Sequence, residues 1–220
     1  MRIGVTVFPG SNCDRDALYA VERMGAEPVE LWHADADLKG VDAVIVPGGF
    51  SYGDYHRPGA IARFAGVMGP LEEFANEGGP DLGVCNGFQV LCEAHLLPGA
   101  LLQNPHMRFV CDRVRVRVEI AGTPWTAGCD EGEELLLPVA HNEGNFFADA
   151  ETLARLEDEG RVVMRYLENP IGSVNDIAGV CNEGRNVVGI MPHPERVSDP
   201  TLGSEEGLRI LRSVMVGAGV

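Results

Sequence analysis

The chain has 220 residues, 45% of them hydrophobic, enough for one domain with a substantial core. No apolar run approaches the roughly 20 residues that a membrane-spanning helix needs. A formal charge of −16, with Lys39 the only lysine among 17 Lys and Arg, opposes binding to nucleic-acid phosphates. The sequence enters a strand-like run at once, without a secretory h-region and cleavage site, so a cytoplasmic location is expected. In that compartment Cys13, Cys85, Cys92, Cys111, Cys129 and Cys181 should be reduced, and no C-x-x-C or H-x-x-x-H pair suggests a metal site.

Strand-like and helical runs alternate through the first hundred residues. Residues 3–8 read as a strand and 14–24 as a helix, capped by Asn12 or Asp14. Residues 29–32 and 41–46 read as the next strands, the second apolar enough to be buried on both faces. Helices are expected over 61–68 and 71–77, a fourth strand over 82–84 and a helix over 88–95, where Phe88, Leu91 and Cys92 share a face. This alternation predicts an α/β fold with a doubly wound, mostly parallel sheet. Ligands of such sheets sit beyond the carboxyl ends of the strands, so the loops after Val46, Val84 and Ile190 should converge.

The middle of the chain changes character. Residues 114–120 alternate Val with Arg or Glu, and with 123–126 and 135–139 they are expected to add antiparallel strands to the sheet. A short helix over 151–159 and strands over 162–166, 177–181 and 187–191 follow. Residues 202–216 close the chain as an amphipathic helix, with Ser204 as cap and Glu205 and Glu206 in its first turn. With no internal repeat or long linker, residues 1–220 read as a single domain.

Three motifs stand at the predicted carboxyl edge. Gly83-Val84-Cys85-Asn86-Gly87 puts a cysteine at a strand-to-helix corner with glycine two residues either side, the pattern of a nucleophile elbow. The corner residue is strained, side-chain-free neighbours let the chains pass closely, and the positive end of the following helix favours an anionic sulfur. Gly48-Gly49, after the third strand, can present bare backbone N–H groups, which with the N–H of Asn86 would form an oxyanion hole. Met191-Pro192-His193-Pro194-Glu195 follows the last strand; residues two apart in extended chain face the same way, so Glu195 can orient the His193 imidazole. His141 and His106 read as carriers of structural hydrogen bonds.

With Phe8-Pro9-Gly10-Ser11-Asn12-Cys13-Asp14, the Gly48-to-Asp54 loop, Gly83-Val84-Cys85-Asn86-Gly87-Phe88-Gln89, Leu97-Pro98-Gly99-Ala100, Ala140-His141-Asn142-Glu143-Gly144-Asn145, Gly172-Ser173-Val174-Asn175-Asp176-Ile177-Ala178-Gly179 and Met191-Pro192-His193-Pro194-Glu195-Arg196, the sequence resembles the class I glutamine amidotransferases along its whole length. Among them it is most similar to the glutaminase subunits of phosphoribosylformylglycinamidine synthase, enzymes of purine biosynthesis. The resemblance implies a flavodoxin-like sheet, Cys85 as nucleophile, His193 as base and later acid, Glu195 as orienter, and Gly49 and Asn86 as oxyanion donors. It further implies Gln89, Phe50, Asn142 and Gly144 beside the glutamine substrate. Asn142 replaces a usual glycine and His56 a usual aliphatic residue; asparagine tolerates positive φ, so the 142–146 loop should keep its course. No ATP-binding loop is present, so the resemblance implies a large ATP-binding synthetase subunit that carries ATP and Mg and receives the ammonia, and a small third subunit. Phe50, Tyr52, Tyr55 and Arg57 are the expected docking residues. A DJ-1/PfpI-like cysteine hydrolase shares the sheet and elbow but lacks the late His-Pro-Glu. A catalytically silent regulatory subunit would not need all three catalytic positions filled.

Overall fold

The computed structural model describes residues 1–217. Its centre is a nine-stranded sheet in the order β2-β1-β3-β4-β11-β10-β9-β6-β7. The first five of these, β2 (Glu27–Trp32), β1 (Arg2–Val7), β3 (Ala43–Val46), β4 (Asp81–Val84) and β11 (Val187–Ile190), run parallel. β3, β4 and β11 are buried at every residue, as strands covered on both faces must be. The other four, β10 (Ile177–Cys181), β9 (Val162–Tyr166), β6 (Val110–Val118) and β7 (Glu134–His141), extend the sheet antiparallel. In β6 the alternation seen in the sequence separates buried Val114, Val116 and Val118 from exposed arginines. The expected mixed sheet is therefore present.

Helix α1 (Asp14–Met24) buries Ala17, Ala20, Val21 and Met24 and stops at Gly25, whose φ of 93° lets its N–H turn back to Val21 and Glu22 carbonyls. Its N-cap is Cys13, with no side-chain cap bond, in place of the expected Asn12 or Asp14; Asp14 and Asp16 in the first turn meet the dipole instead. The helix expected over 61–68 is broken. Ala62–Phe64 forms a single 3-10 turn, Ala65 is extended, and α2 (Met68–Asn76) begins only afterwards. Gly66 is the reason, because it passes so close to the Ala34 carbonyl that a Cβ would lie 2.7 Å from the oxygen. Residues 123–126 are a turn, not a strand, with the Thr123 and Thr126 hydroxyls 2.7 Å apart and Trp125 fully buried.

Two short strands went unforeseen. β5 (Ala100–Leu102) and β8 (Asn145–Phe147) pair antiparallel as a separate ribbon and hold Phe146 stacked on Phe88, centroids 5.9 Å apart. α4 (Ala150–Asp158) is capped by Asp149, which accepts from the Thr152 N–H. At the C-terminus, Asp199 caps a 3-10 turn at Pro200–Leu202, left-handed Gly203 ends it, and α5 (Gly207–Gly217) starts later than the expected 202. Ser204 accepts from Glu206 N at 3.1 Å, and the Glu206 carboxylate accepts from the Leu136 N–H on the open edge of β7 at 2.6 Å. A sheet edge that would otherwise offer free N–H groups is thus closed by a side chain.

Candidate active site

The elbow is built by close packing. Between β4 and α3 (Asn86–Glu93), Cys85 sits at φ 50°, ψ −104°, a region that side chains avoid. A Cβ on Gly83 would lie 2.6 Å from Leu91 Cδ1 and 2.8 Å from the Gly87 carbonyl, and one on Gly87 would collide with the Val46 carbonyl oxygen. Both glycines are therefore required by the approach of β3, β4 and α3. The Cys85 N–H donates to Ile190 O at 2.8 Å, which ties the corner to the end of β11.

The loop after β11 brings in the imidazole. The His193 N–H donates to Pro138 O on β7 at 2.8 Å, and His193 Nδ1 stands 2.5 Å from Glu195 Oε1. Both side chains are buried, and His193 Nε2 has no partner among the described residues. Burial alone would push the imidazole pKa down; the Glu195 carboxylate, and then the Cys85 sulfur, outweigh it and hold the group well above its usual value. Gly48 is needed here because a Cβ would come 2.7 Å from His193 Cε1. Gly49 adopts φ 134°, and neither its N–H nor that of Asn86 has an acceptor among the described residues.

Cys85, His193 and Gly49 line one cavity of about 240 Å³, so the loops after β3, β4 and β11 converge as the parallel topology requires. Gln89 and Phe50 line it too. The Asn86 side chain braces the wall, accepting from Ser51 N (3.1 Å) and donating to Gln89 Oε1 (2.9 Å) and Asp54 Oδ1 (3.3 Å). Gln89 in turn donates to Glu143 O at 2.5 Å. Asn142 and Gly144 stand behind this lining. Asn142 does not take positive φ, contrary to expectation, and its amide donates to Glu143 Oε1 at 2.7 Å. Gly144 lies under the His141 ring, which a Cβ there would strike. A larger cavity, about 810 Å³, opens at the amino ends of β4 and β11 beside Gly78, Leu97, Arg161 and Asn186, with no cysteine in its lining.

Four lining residues carry weight that their spacing in the sequence did not reveal. Cys13 Sγ accepts from an Arg196 guanidinium N–H at 2.9 Å, and its sulfur, a His193 ring nitrogen and a Glu195 oxygen all lie within 4.8 Å of one another. Within this group Cys13 Sγ takes Arg196 and His193 Nδ1 pairs with Glu195 Oε1, while His193 Nε2 and Glu195 Oε2 have no partner among the described residues. Asp54 shares the cavity, as does His141. His106 Nδ1 accepts from Arg108 N at 3.2 Å, the expected structural bond, whereas neither ring nitrogen of His141 has a partner among the described residues. The nitrogen-bearing edge of that ring packs against Gly144, where a Cβ would come 2.3 Å from Cε1 and 2.4 Å from Nδ1.

The profile of the CobB/CobQ-like glutamine amidotransferase domain matches residues 1–206. The chain belongs to that family. A curated relative from Rubrobacter xylanophilus, named phosphoribosylformylglycinamidine synthase subunit PurQ, is 83% identical over 220 residues, covering 100% of both chains. The protein of the same name from Frankia casuarinae is 57% identical, over 98% of this chain and 94% of its own. Among solved structures, a chain of PurLQS from Thermotoga maritima superposes with a TM-score of 0.91 at 41% identity, covering 99% of this chain and 98% of that one. The amidotransferase elbow therefore sits in a fold shared throughout its length with those relatives. All six cysteines of this amidotransferase are free, and among the described residues no helix is long and apolar enough to cross a membrane.

Proposed function

We propose that this chain is the glutamine-hydrolysing subunit of a phosphoribosylformylglycinamidine synthase, with Cys85 as nucleophile, His193 as acid and base, and Glu195 as orienter. The observation that carries the reading is the meeting of Cys85, the Glu195-bound imidazole and unpaired backbone N–H groups in one cavity. The Cys85 sulfur passes its proton to His193 and attacks the side-chain carbonyl carbon of glutamine. The oxyanion that forms lies against the N–H groups of Gly49 and Asn86. As the C–N bond breaks, His193 gives its proton to the departing nitrogen, so ammonia leaves and a γ-glutamyl thioester remains. Water then attacks the thioester, His193 takes its proton, and glutamate leaves as the sulfur is released.

The chain carries no cofactor of its own in this reading. ATP and Mg belong to a large synthetase subunit that consumes the ammonia, and a small third subunit completes the assembly, all in the cytoplasm. The mouth of the cavity suits such docking, because Phe50 lines it and is exposed, as is Tyr55 five residues on. Tyr52 and Arg57 are committed internally, to His33 Nδ1 (2.7 Å) and to both Glu93 oxygens (2.6 Å), and serve to hold the loop. A glutamine-mimicking electrophile should label one sulfur per chain, and Cys85→Ala should abolish the labelling. Cys13 is the rival thiol because it too neighbours His193, but it is held by Arg196 and lies outside the elbow, so Cys13→Ala should still be labelled. Labelling that survives Cys85→Ala and disappears in Cys13→Ala would overturn the assignment.

A further inference from the structure

Cys13 is a buried thiol with no task in the chemistry above. It stands at the N-cap of α1 yet makes no capping bond there, and it is 1% exposed. Its Sγ instead accepts from an Arg196 guanidinium N–H at 2.9 Å, with Asn12 Oδ1 3.5 Å away. A Cβ on Gly48 would lie 3.3 Å from this sulfur and 3.4 Å from His193 Nδ1, so sulfur and ring flank one spot. With a Glu195 oxygen, the sulfur and a His193 ring nitrogen close a triangle no wider than 4.8 Å.

Arg196 follows Glu195 directly on the 3-10 turn Pro194–Val197. By reaching Cys13, and Asp16 in the first turn of α1 at 3.7 Å, it fastens the turn that carries Glu195 to the start of that helix. A guanidinium only donates, so in this contact the sulfur is the negative end. The charged and titratable groups around the His193 ring are Glu195 and Arg196 from its own turn, Cys85 from the end of β4, Cys13 and Asp16 from the start of α1, and His141 from the end of β7. Burial opposes a charge on the ring most strongly; Glu195, then Cys85 and Cys13, favour it and prevail. We propose that Cys13 is a positioning residue for glutamine hydrolysis: held by Arg196, its sulfur braces the Nδ1 side of His193 and shares with Glu195 the stabilisation of the imidazolium. This rests on the glutamine reading above.

Two variants separate an acceptor from a space-filler. Cys13→Ser keeps an acceptor for Arg196 and Cys13→Ala removes it, whereas for a thiol that only fills space alanine would be the milder change, since serine adds a buried hydroxyl. In the chain assembled with its synthetase partner, Cys13→Ala should lower kcat about fivefold or more with KM within about twofold, and move the alkaline limb of kcat/KM down by about half a pH unit or more. Cys13→Ser should recover most of both. Arg196→Gln alone should move the limb the same way, and joined to Cys13→Ala it should add little, because the two act through one contact. NMR titration of the His193 imidazole in the isolated chain reads the midpoint without turnover, and Cys13→Ala should lower it. If Cys13→Ala does not fold, Arg196→Gln carries the comparison, and an unmoved limb there counts equally against the brace. An unchanged limb and midpoint, serine no better than alanine, or fully additive losses would overturn the proposal while leaving glutamine hydrolysis standing. A wild-type assembly that hydrolyses no glutamine, with the midpoint still lowered in Cys13→Ala, would overturn the glutamine reading and leave the brace on the ring.

Discussion

The contact between His193 and Glu195 makes the sharpest demand on the mechanism. Glu195→Gln keeps the shape of the side chain and removes its charge. The pair is 2.5 Å apart with both partners almost fully buried, so solvent screens it little. A hydrogen bond to a charged group contributes about 1.5–3 kcal/mol, which at 1.36 kcal/mol per decade predicts a fall in kcat of about 10- to 150-fold. Steady-state glutamine hydrolysis by the assembled complex measures it, with Cys85 labelling as the check that the elbow is intact. A kcat within about twofold of wild type would refute the orienting role. The same variant has a pH signature. Because the folded-state pKa of His193 lies above its unfolded value, the pair's contribution to stability is complete below the unfolded histidine value of about 6.5 and is lost as pH rises through the folded one. In Glu195→Gln the largest opposing influence, burial, prevails, so that contribution should vanish or reverse in thermal melts between acidic and mildly alkaline pH.

Gly87→Ala should lower the urea midpoint and abolish Cys85 labelling, because the new methyl collides with the Val46 carbonyl in a region where overpacking costs about 1–3 kcal/mol or more. Asp81 is fully buried, both its oxygens lack partners among the described residues, and burial raises its pKa well above the usual carboxylate range. The folded state therefore holds a proton that the unfolded state releases above about pH 4, and stability drains away as pH rises from there. Asp81→Asn should accordingly raise the melting temperature at pH 8 and change it little at pH 4; an equal shift at both would count against this account. Phe146→Ala should destabilise by about 3–5 kcal/mol in denaturant unfolding, since the ring is fully buried and stacks on Phe88. If its loss costs under about 1 kcal/mol, the β5–β8 ribbon is not part of the core.

The elbow, the glycine pair and the His-x-Glu could be read from the sequence because each is a local pattern whose chemistry fixes its spacing: glycines two residues from Cys85, and His193 and Glu195 two apart on stiff chain. The alternation of strands and helices likewise fixed which loops must share an edge. The errors have two causes, one distant and one local. Residues 61–68 carry a helical pattern, but the approach of Gly66 to the Ala34 carbonyl, a contact across 32 positions, breaks the helix. Over 123–126 the cause is local, since the Thr123 and Thr126 hydroxyls, three positions apart, close the segment into a turn.

What the sequence by itself determined is the nucleophile corner and the parallel half of the sheet, which follow from short-range sterics and periodicity, and the family, which its motifs resemble. What only the tertiary structure decided is the company that corner keeps. Cys13 reaches Arg196 from 183 positions away, and His141 is buried with neither ring nitrogen partnered among the described residues. Burial, and then Glu143, push the Asp54 pKa up to about 6. Burial and charge at such points are sums over distant segments, and no local stretch of chain encodes them.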